Sequence, residues 1–208
     1  YFVVKRPGFF IRFHPTSVSC TYWVDAEARA EDERTISALL LPDSTYVDVG
    51  ANVGTLALAG AAATGPMGKV VAIEAHPRTT KFLKDNVREN GMCHVTVVCA
   101  AVGDKEGSVV IENRRADDMN QVSITGNGAK IPMRTLDDIL AGVGGVRLLK
   151  IDVEGFEKFV LAGAPRTLAR TEFVFIEIIA STAAHFGYDV ADVMQMLRTA
   201  GFECYRLA

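Results

Sequence analysis

The chain has 208 residues, of which 49% are hydrophobic and 23% charged, and its formal net charge is −3. A chain of this length can bury a full core in one domain, and without a basic excess nucleic acid is not expected as the main partner. The four cysteines (Cys20, Cys93, Cys99, Cys204) have no C-x-x-C spacing, so they predict neither a zinc site nor a disulfide framework. We therefore expect the protein in the reducing cytoplasm.

The N-terminal part divides into two segments. Residues 1–24 are rich in aromatic and β-branched residues around Pro7-Gly8, which predicts short strands or a hairpin packed on the main domain. Residues 25–41 carry helix formers and predict a lead-in helix that ends at Pro42. We therefore divide the chain into an N-terminal segment, 1–41, and a main domain, 42–208.

The main domain alternates between strand and helix patterns. Its apolar runs are mostly unbroken, which is typical of parallel strands buried on both faces; they lie at 46–49, 70–73, 95–99, 148–151 and 173–178. Helix patterns fill the gaps, at 55–63, 78–90, 156–168 and 190–200, the last opened by Asp189. This order predicts an open α/β fold with a mostly parallel sheet flanked by helices. Residues 103–134 break the rhythm and predict an inserted hairpin and loop.

One uncharged run is long enough to raise the question of a membrane span. Residues 49–68 contain five glycines and Pro66, so the run is too weakly apolar to cross a bilayer. We therefore expect no membrane span.

The glycine-containing stretch VDVGANVG, residues 47–54, follows the first strand of the sheet. Gly50 and Gly54 allow a tight turn that exposes backbone N–H groups at a helix N-terminus, and Glu74 ends the next strand, where a carboxylate can accept both ribose hydroxyls. Asn52 occupies the middle glycine of the dinucleotide pattern G-x-G-x-x-G, which disfavours a pyrophosphate. Asp48 suits the ammonium of an amino acid. S-adenosylmethionine combines an adenosine with an amino-acid end and has no phosphate.

Several motifs together resemble the FkbM-type S-adenosylmethionine-dependent methyltransferases. VDVGANVG, AIEAHP, VVCAAVGDKEG, RTLDDIL, LLKIDVEGFEKFVLAGA and FVFIEI occur in the family's order over roughly residues 45–178. The resemblance implies a Rossmann-like class I methyltransferase fold, here with a short N-terminal β-rich extension, and O-methylation of a hydroxyl on a sugar, lipid-linked glycan or polyketide. It implies these cofactor contacts: Asp48, Gly50, Ala51, Asn52, Gly54, Glu74, Ala75, Ala101 and Val102. Ala75 stands where the family commonly has proline.

Candidate residues for chemistry follow the later strands. Asp152 ends a strand expected beside the first one, and Glu154 follows at a helix start, where acids are also favoured by the helix dipole alone. His185 falls after the fifth strand, where acceptor pockets form, and is a candidate for the catalytic base or for an acceptor contact. Alcohol methylation needs a base or a metal, so Asp152, Glu154 and Glu177 are also possible ligands for Mg²⁺, which we do not favour. From the N-terminal segment, His14, Tyr22 and Trp23 are candidates for the acceptor pocket or for plain packing.

The sequence thus predicts a cytoplasmic methyltransferase that uses S-adenosylmethionine on a small-molecule or glycan hydroxyl. Two alternatives stay open: a nicotinamide-dependent oxidoreductase on the same sheet, and a non-catalytic partner subunit that keeps the cofactor pocket.

Overall fold

The computed structural model describes residues 2–111 and 128–206. The strands in chain order are β1 (Val3–Arg6), β2 (Phe9–Arg12), β3 (Thr45–Val49), β4 (Lys69–Glu74), β5 (Val95–Cys99), β6 (Ala101–Val102), β7 (Gly107–Ile111), β8 (Ala129–Arg134), β9 (Val146–Ile151) and β10 (Thr171–Ile176). The helices are α1 (Ser17–Val24), α2 (Ala30–Leu39), α3 (Thr55–Thr64), α4 (Pro77–Glu89), α5 (Leu136–Ile139), α6 (Glu157–Ala162), α7 (Pro165–Leu168), α8 (Ala180–His185) and α9 (Val190–Thr199).

A parallel sheet of five strands, in the order β10-β9-β3-β4-β5, forms the centre of the molecule. All four strand pairs in it are parallel, as the unbroken apolar runs predicted. From β3 the chain adds β4 and β5 on one side of the sheet, and it later adds β9 and β10 on the other side of β3. The strand order therefore reverses between β3 and β9. In open α/β sheets ligands bind beyond the carboxyl ends of the strands at such a point.

Two apolar cores cover the two faces of this sheet. Alternate residues of one strand divide between them, so that Tyr46 packs in one core and Val47 in the other. The first core combines α3 and α4 with residues of the N-terminal segment such as Ile11, Tyr22 and Ile36. The second core contains residues from α5, α6, α7 and α9. The N-terminal segment therefore packs on the same face of the sheet as α3, while its status as a separate domain stays a prediction.

The N-terminal hairpin is confirmed, but the strand prediction is wrong for the residues that follow it. β1 and β2 pair in antiparallel fashion around Pro7-Gly8, whereas Ser17–Val24 is helical. Thr16 caps this helix, because its hydroxyl accepts a hydrogen bond from the Ser19 N–H at 3.1 Å. The cap and the packing of Tyr22 into the core outweigh the strand preference of the aromatic and β-branched residues.

The helix predicted over 156–168 is two short helices, α6 and α7. It breaks at Gly163, where an added Cβ would come within 2.0 Å of the Gly103 carbonyl oxygen, and Pro165 begins the second helix. Asp189 caps α9 as predicted, with a capping box completed by Asp192.

The inserted hairpin is present where the structure describes it. β7 and β8 pair in antiparallel fashion, and β6 adds to β8 in parallel, which makes a second, three-stranded sheet. The loop predicted between β7 and β8 falls on residues 112–127, outside the described residues. Within the two described ranges, no helix has both the length and the apolar character that crossing a bilayer requires.

Candidate active site

A cavity lies at the carboxyl ends of β3, β4 and β9, where the strand order of the sheet reverses. The glycine loop, the ends of β4 and β9, the start of β6 and two residues of the N-terminal segment form its walls. The residues that line it include Val18, Arg29, Gly50, Ala51, Asn52, Thr55, Glu74, Ala75, Ala101, Val102, Lys150, Asp152, Glu154 and Phe156.

The glycine loop follows directly from β3 and is held against both neighbouring strands. The N–H groups of Gly50 and Ala51 donate to the Ile73 carbonyl of β4, and the Asp152 N–H donates to the Val49 carbonyl. Gly50 has a φ of +81°, and an added Cβ would lie 1.8 Å from the Asp152 carbonyl oxygen. Only glycine fits there, because the loop crosses the end of β9 at van der Waals contact with its backbone.

Glu74 is fixed by the loop that it faces. Its two carboxylate oxygens accept the Asn52 N–H at 2.9 Å and the His76 N–H at 2.8 Å. Burial raises the pKa of this carboxyl, while the two N–H donors oppose the effect. Each oxygen keeps a lone pair for a further donor, so Glu74 can accept hydrogen bonds from a pair of hydroxyl groups in the cavity.

A buried lysine in the cavity wall joins the two central strands. Lys150 and Asp48 are paired in register across β9 and β3, and their side chains are 3% and 0% exposed. The Lys150 ammonium lies 3.1 Å from the Gly50 carbonyl oxygen, 3.2 Å from Asp48 and 3.4 Å from Asp152. Burial acts to lower the pKa of Lys150, but the two carboxylates outweigh it and raise the pKa. Lys150 is therefore a charged link between the strand ends and the glycine loop.

Arg29 covers the same strand ends from the N-terminal segment. It precedes α2 with a φ of +63°, a conformation that is costly for a side chain with a Cβ. Its guanidinium lies 2.9 Å from Asp32, 3.5 Å from Asp152 and 3.9 Å from Glu177. Burial acts to lower the pKa of Arg29, and these carboxylates raise it. Asp152 thus lies between two cations, Lys150 and Arg29.

Glu154 lies in the cavity wall with a strained backbone. Its φ is +54°, again in the left-handed region, and it stands immediately before Gly155 at φ +101°. Strain of this kind costs about 1–3 kcal/mol and persists where the surroundings hold the residue. The observation marks Glu154 as a candidate functional residue on grounds independent of its charge.

Most of the predicted cofactor residues line this cavity, as do two of the predicted catalytic residues. Gly50, Ala51, Asn52, Glu74, Ala75, Ala101, Val102, Asp152 and Glu154 are all in the wall. Asp48 is placed behind the wall against Lys150, and Gly54 packs instead on α4, where an added Cβ would meet Leu83 at 2.5 Å. The structure brings the residues together; their roles stay predictions.

The candidate acceptor residues lie outside the cavity. His14 is buried and stacked on Phe82 at 4.4 Å between ring centroids, and burial followed by the charge of Arg12 lowers its pKa. Tyr22 is buried behind the wall, and Trp23 is 66% exposed beside Phe2. His185 is exposed at the end of α8, against Phe186. None of these four residues lines the cavity. The acceptor roles of His14, Tyr22 and Trp23, and the role of His185 as base or acceptor contact, stay predictions.

The possible magnesium ligands are not assembled as a metal site. In the described parts of the chain, no group of three or more His, Cys, Asp or Glu side chains is placed to hold a metal ion. Arg29 bridges Asp152 and Glu177 instead. Burial and then the Asp152 charge raise the pKa of Glu177, and Arg29 opposes them. That magnesium is possible but not favoured stays a prediction.

Sequence reasoning overlooked Lys150 as a buried charge, and also Arg29 and Thr55. A signal for Lys150 was present, because a lysine inside the apolar run LLKI needs a buried acid, and VDV on the neighbouring strand offers one. For Thr55 the sequence predicts only the start of a helix. For Arg29 the sequence carried no signal, since its place in the wall depends on a left-handed residue and on tertiary packing.

Solved methyltransferase structures share this architecture. The FkbM methyltransferase of Methylobacillus flagellatus superposes with a TM-score of 0.57 at 22% identity over 77% of this chain, which spans only 38% of that longer chain. A precorrin-6y C5,15-methyltransferase from Geobacter metallireducens superposes with a TM-score of 0.52 at 14% identity, covering 83% of this chain and 71% of that one. Both likenesses concern the fold, which is that of the class I methyltransferases.

The sequence comparisons are more specific. A curated relative, the hexuronic acid methyltransferase AglP of Haloferax volcanii, is 29% identical over 95% of this chain and 80% of its own length. The profile of the methyltransferase FkbM domain matches residues 48–204, which include the glycine loop, Glu74, Asp152 and Glu154. The chain belongs to the FkbM methyltransferase family.

Proposed function

We propose that the chain is an S-adenosylmethionine-dependent O-methyltransferase that acts on a hydroxyl of a sugar. The observation that carries the proposal is the position of Glu74, whose carboxylate is held by the N–H groups of Asn52 and His76 at the end of the strand next to the glycine loop. A carboxylate fixed there suits the two hydroxyls of a ribose. The family membership and the relative that acts on hexuronic acid support methyl transfer to a sugar.

The residues present fit a cofactor with an adenosine and an amino-acid end. Ala75, Ala101 and Val102 give the cavity a small, apolar wall beside Glu74, which suits adenine. At the other end, Thr55 lines the cavity, while its hydroxyl is buried against that of Tyr22. Asn52, with φ +50°, fills the position that a dinucleotide loop keeps free for the pyrophosphate.

The reacting end of the cavity is carboxylate-rich. When bound, S-adenosylmethionine supplies a methyl group that an acceptor oxygen displaces in line. Asp152 and Glu154 flank the end of β9 and are the side chains available to receive the acceptor's proton. Lys150 and Arg29 fix the Asp152 carboxylate from two sides, so that it needs no reorganisation during the transfer.

We also propose that the protein acts in the reducing cytoplasm. All four cysteines are free, and Cys20 and Cys93 are exposed.

A methyl-transfer assay tests the proposal. We expect labelled methyl groups to pass from S-adenosylmethionine to a panel of free and glycan-linked hexuronic acids and neutral hexoses. Asp152→Asn and Glu154→Gln should each reduce turnover at least tenfold, whereas Asp192→Asn, at a half-exposed position on α9 outside the cavity wall, should leave it unchanged. Adding EDTA to the same assay tests the magnesium prediction.

Three results of this assay would contradict the proposal. Cofactor binding without turnover on the whole panel would favour a non-catalytic subunit. Turnover with a nicotinamide cofactor would favour an oxidoreductase. Full activity of both active-site variants would remove Asp152 and Glu154 from the mechanism.

A further inference from the structure

A buried glutamate holds the strained turn that contains Glu154. Glu157, the first residue of α6, is 1% exposed. Its Oε1 accepts the Gly155 N–H at 2.9 Å and the Val153 N–H at 3.3 Å. An acid in the first turn of a helix is favoured by the helix dipole alone, but that effect requires neither burial nor contacts with the preceding turn. One carboxylate oxygen of Glu157 therefore fixes the backbone on both sides of Glu154.

Tyr188 joins this glutamate to the turn from the segment between α8 and α9. Its hydroxyl lies 2.8 Å from Glu157 Oε2 and 2.9 Å from the Gly155 carbonyl oxygen. A tyrosine hydroxyl has one proton, which these two acceptors share. The residue is 6% exposed, so water does not compete for these contacts. The second carboxylate oxygen of Glu157 and the carbonyl of the turn are thus tied to one side chain.

The end of α8 packs against the same turn. Gly155 has φ +101°, and an added Cβ would lie 2.9 Å from the Thr182 Cβ and 3.0 Å from the Phe186 ring. The turn is therefore fixed by hydrogen bonds to Glu157 and Tyr188 on one hand and by packing on the other. A left-handed residue other than glycine persists only where its surroundings hold it in this way.

The conformation of this turn decides where the Glu154 side chain lies. Glu154 lines the cavity, is half-buried and has φ +54°. A change to the right-handed or extended region would turn its Cα–Cβ bond in another direction. Displacing a reacting group by about 1 Å can lower a rate about a hundredfold. The groups that hold the turn therefore control the distance between the Glu154 carboxylate and an acceptor.

We propose that Glu157 and Tyr188 are positioning residues for methyl transfer, which hold the turn 153–155 so that the Glu154 carboxylate faces the acceptor hydroxyl. This inference rests on the proposed function, in which Glu154 can receive the acceptor's proton. Neither Glu157 nor Tyr188 lines the cavity, so each acts through Glu154.

A double-mutant cycle tests whether Glu157 acts through Glu154. Glu157→Leu leaves the Val153 and Gly155 N–H groups without their acceptor and should lower kcat about tenfold or more, with the KM for S-adenosylmethionine changed less than about twofold. Glu157→Gln keeps an oxygen for both N–H groups and should retain kcat within about threefold. In the Glu154→Gln background, Glu157→Leu should lower kcat further by less than about twofold, because the carboxylate that it positions is already absent.

The same cycle applies to Tyr188. Tyr188→Phe should lower kcat about threefold when Glu154 is present and leave it unchanged in the Glu154→Gln background. The matched controls are Glu203→Leu and Tyr205→Phe, at exposed positions after α9, which should leave kcat unchanged.

Amide hydrogen exchange gives a readout that does not depend on activity. In Glu157→Leu the Gly155 N–H loses its acceptor and should exchange about tenfold faster or more. The Asp152 N–H donates to the Val49 carbonyl instead and should keep its rate. Unchanged exchange at Gly155 would show that Glu157 does not hold the turn and would overturn the inference.

The kinetic outcomes separate this inference from the proposed function. Equal losses of kcat with and without the Glu154 carboxylate, no loss in Glu157→Leu, or a loss in Glu157→Gln as large as in Glu157→Leu would overturn the inference. Full turnover of Glu154→Gln, or no methyl transfer by the intact protein, would instead contradict the proposed function, whatever the exchange at Gly155. Thermal unfolding identifies a variant that has lost its fold, in which case Tyr188→Phe decides, because it removes a single oxygen.

Discussion

Replacing Lys150 by methionine should destabilise the protein strongly, because it leaves a buried carboxylate without a cation. Asp48 is 0% exposed, and Lys150 is its ion-pair partner at 3.2 Å. Breaking a buried pair from one side costs about 3–5 kcal/mol. For a domain of this size, each kcal/mol lowers the unfolding midpoint by about 2–4 °C, so we expect a drop of roughly 6–20 °C.

The loss in Lys150→Met should depend on pH. Burial raises the pKa of Asp48, and without Lys150 nothing comparable opposes that effect. A carboxyl with a raised pKa in the folded state favours folding when it is protonated, so the variant should recover stability relative to the parent as the pH falls from 8 to 5. Urea unfolding at several pH values measures this directly.

Two controls accompany the Lys150 variant. The double variant Asp48→Asn/Lys150→Met removes both charges and should be more stable than Lys150→Met at pH 8, with little dependence on pH. Lys158→Met breaks an exposed pair with Asp192 and should cost less than about 1 kcal/mol. A loss for Lys150→Met no larger than that of Lys158→Met, and equal at pH 5 and 8, would refute the reasoning.

Three further predictions concern other parts of the site and its support. Burial acts to raise the pKa of Asp137, but hydrogen bonds from Arg166 and Thr167 outweigh it and lower the pKa. Its contribution is therefore fully present above the ordinary aspartate pKa of about 4 and is lost progressively as the pH falls through the lowered pKa. Asp137→Asn should cost about 1–2 kcal/mol in urea unfolding at pH 7 and less at pH 3, and a difference that does not change with pH would contradict this. Gly50→Ala should lower the free energy of unfolding by more than about 3 kcal/mol, because its Cβ would lie 1.8 Å from the Asp152 carbonyl oxygen. The control Gly65→Ala, at φ +71° with no atom within 4 Å of the added Cβ, should lower it by only about 1 kcal/mol. Equal midpoints of the two variants in thermal unfolding would argue against the close contact between the glycine loop and β9. Glu154→Gly relieves the backbone strain at φ +54°, so the unfolding midpoint should stay the same or rise, while turnover falls at least tenfold. A variant that unfolds at a lower temperature but has normal turnover would show that Glu154 has a structural role.

The sheet and its glycine loop were predictable because their causes are local in sequence. Unbroken apolar runs specify strands buried on both faces, and the observed strands begin and end within about two residues of the predicted runs. Glu74 and Asp152 end strands whose order is fixed by parallel connections, so their meeting at one cavity followed from topology.

The remaining features depend on contacts between residues distant in sequence. The break at Gly163 exists because the chain there touches the Gly103 backbone, which no local pattern records. Helix α1 forms through a cap at Thr16 and the packing of Tyr22, against the strand preference of its residues. Arg29 reaches the cavity only because its backbone is left-handed and the N-terminal segment packs on the sheet. No sequence motif predicts its position in the wall.

Ligand-induced stabilisation tests the central claim most directly. The unfolding midpoint is measured for the protein alone and with S-adenosylmethionine, S-adenosylhomocysteine or NAD at about 100 times the dissociation constant, where a ligand adds roughly 2.7 kcal/mol. The cavity built around Glu74 and the glycine loop predicts a rise of roughly 5–10 °C with the two adenosyl ligands, which Glu74→Gln reduces, and none with NAD. A rise with NAD alone, or no rise with either adenosyl ligand, would contradict the account.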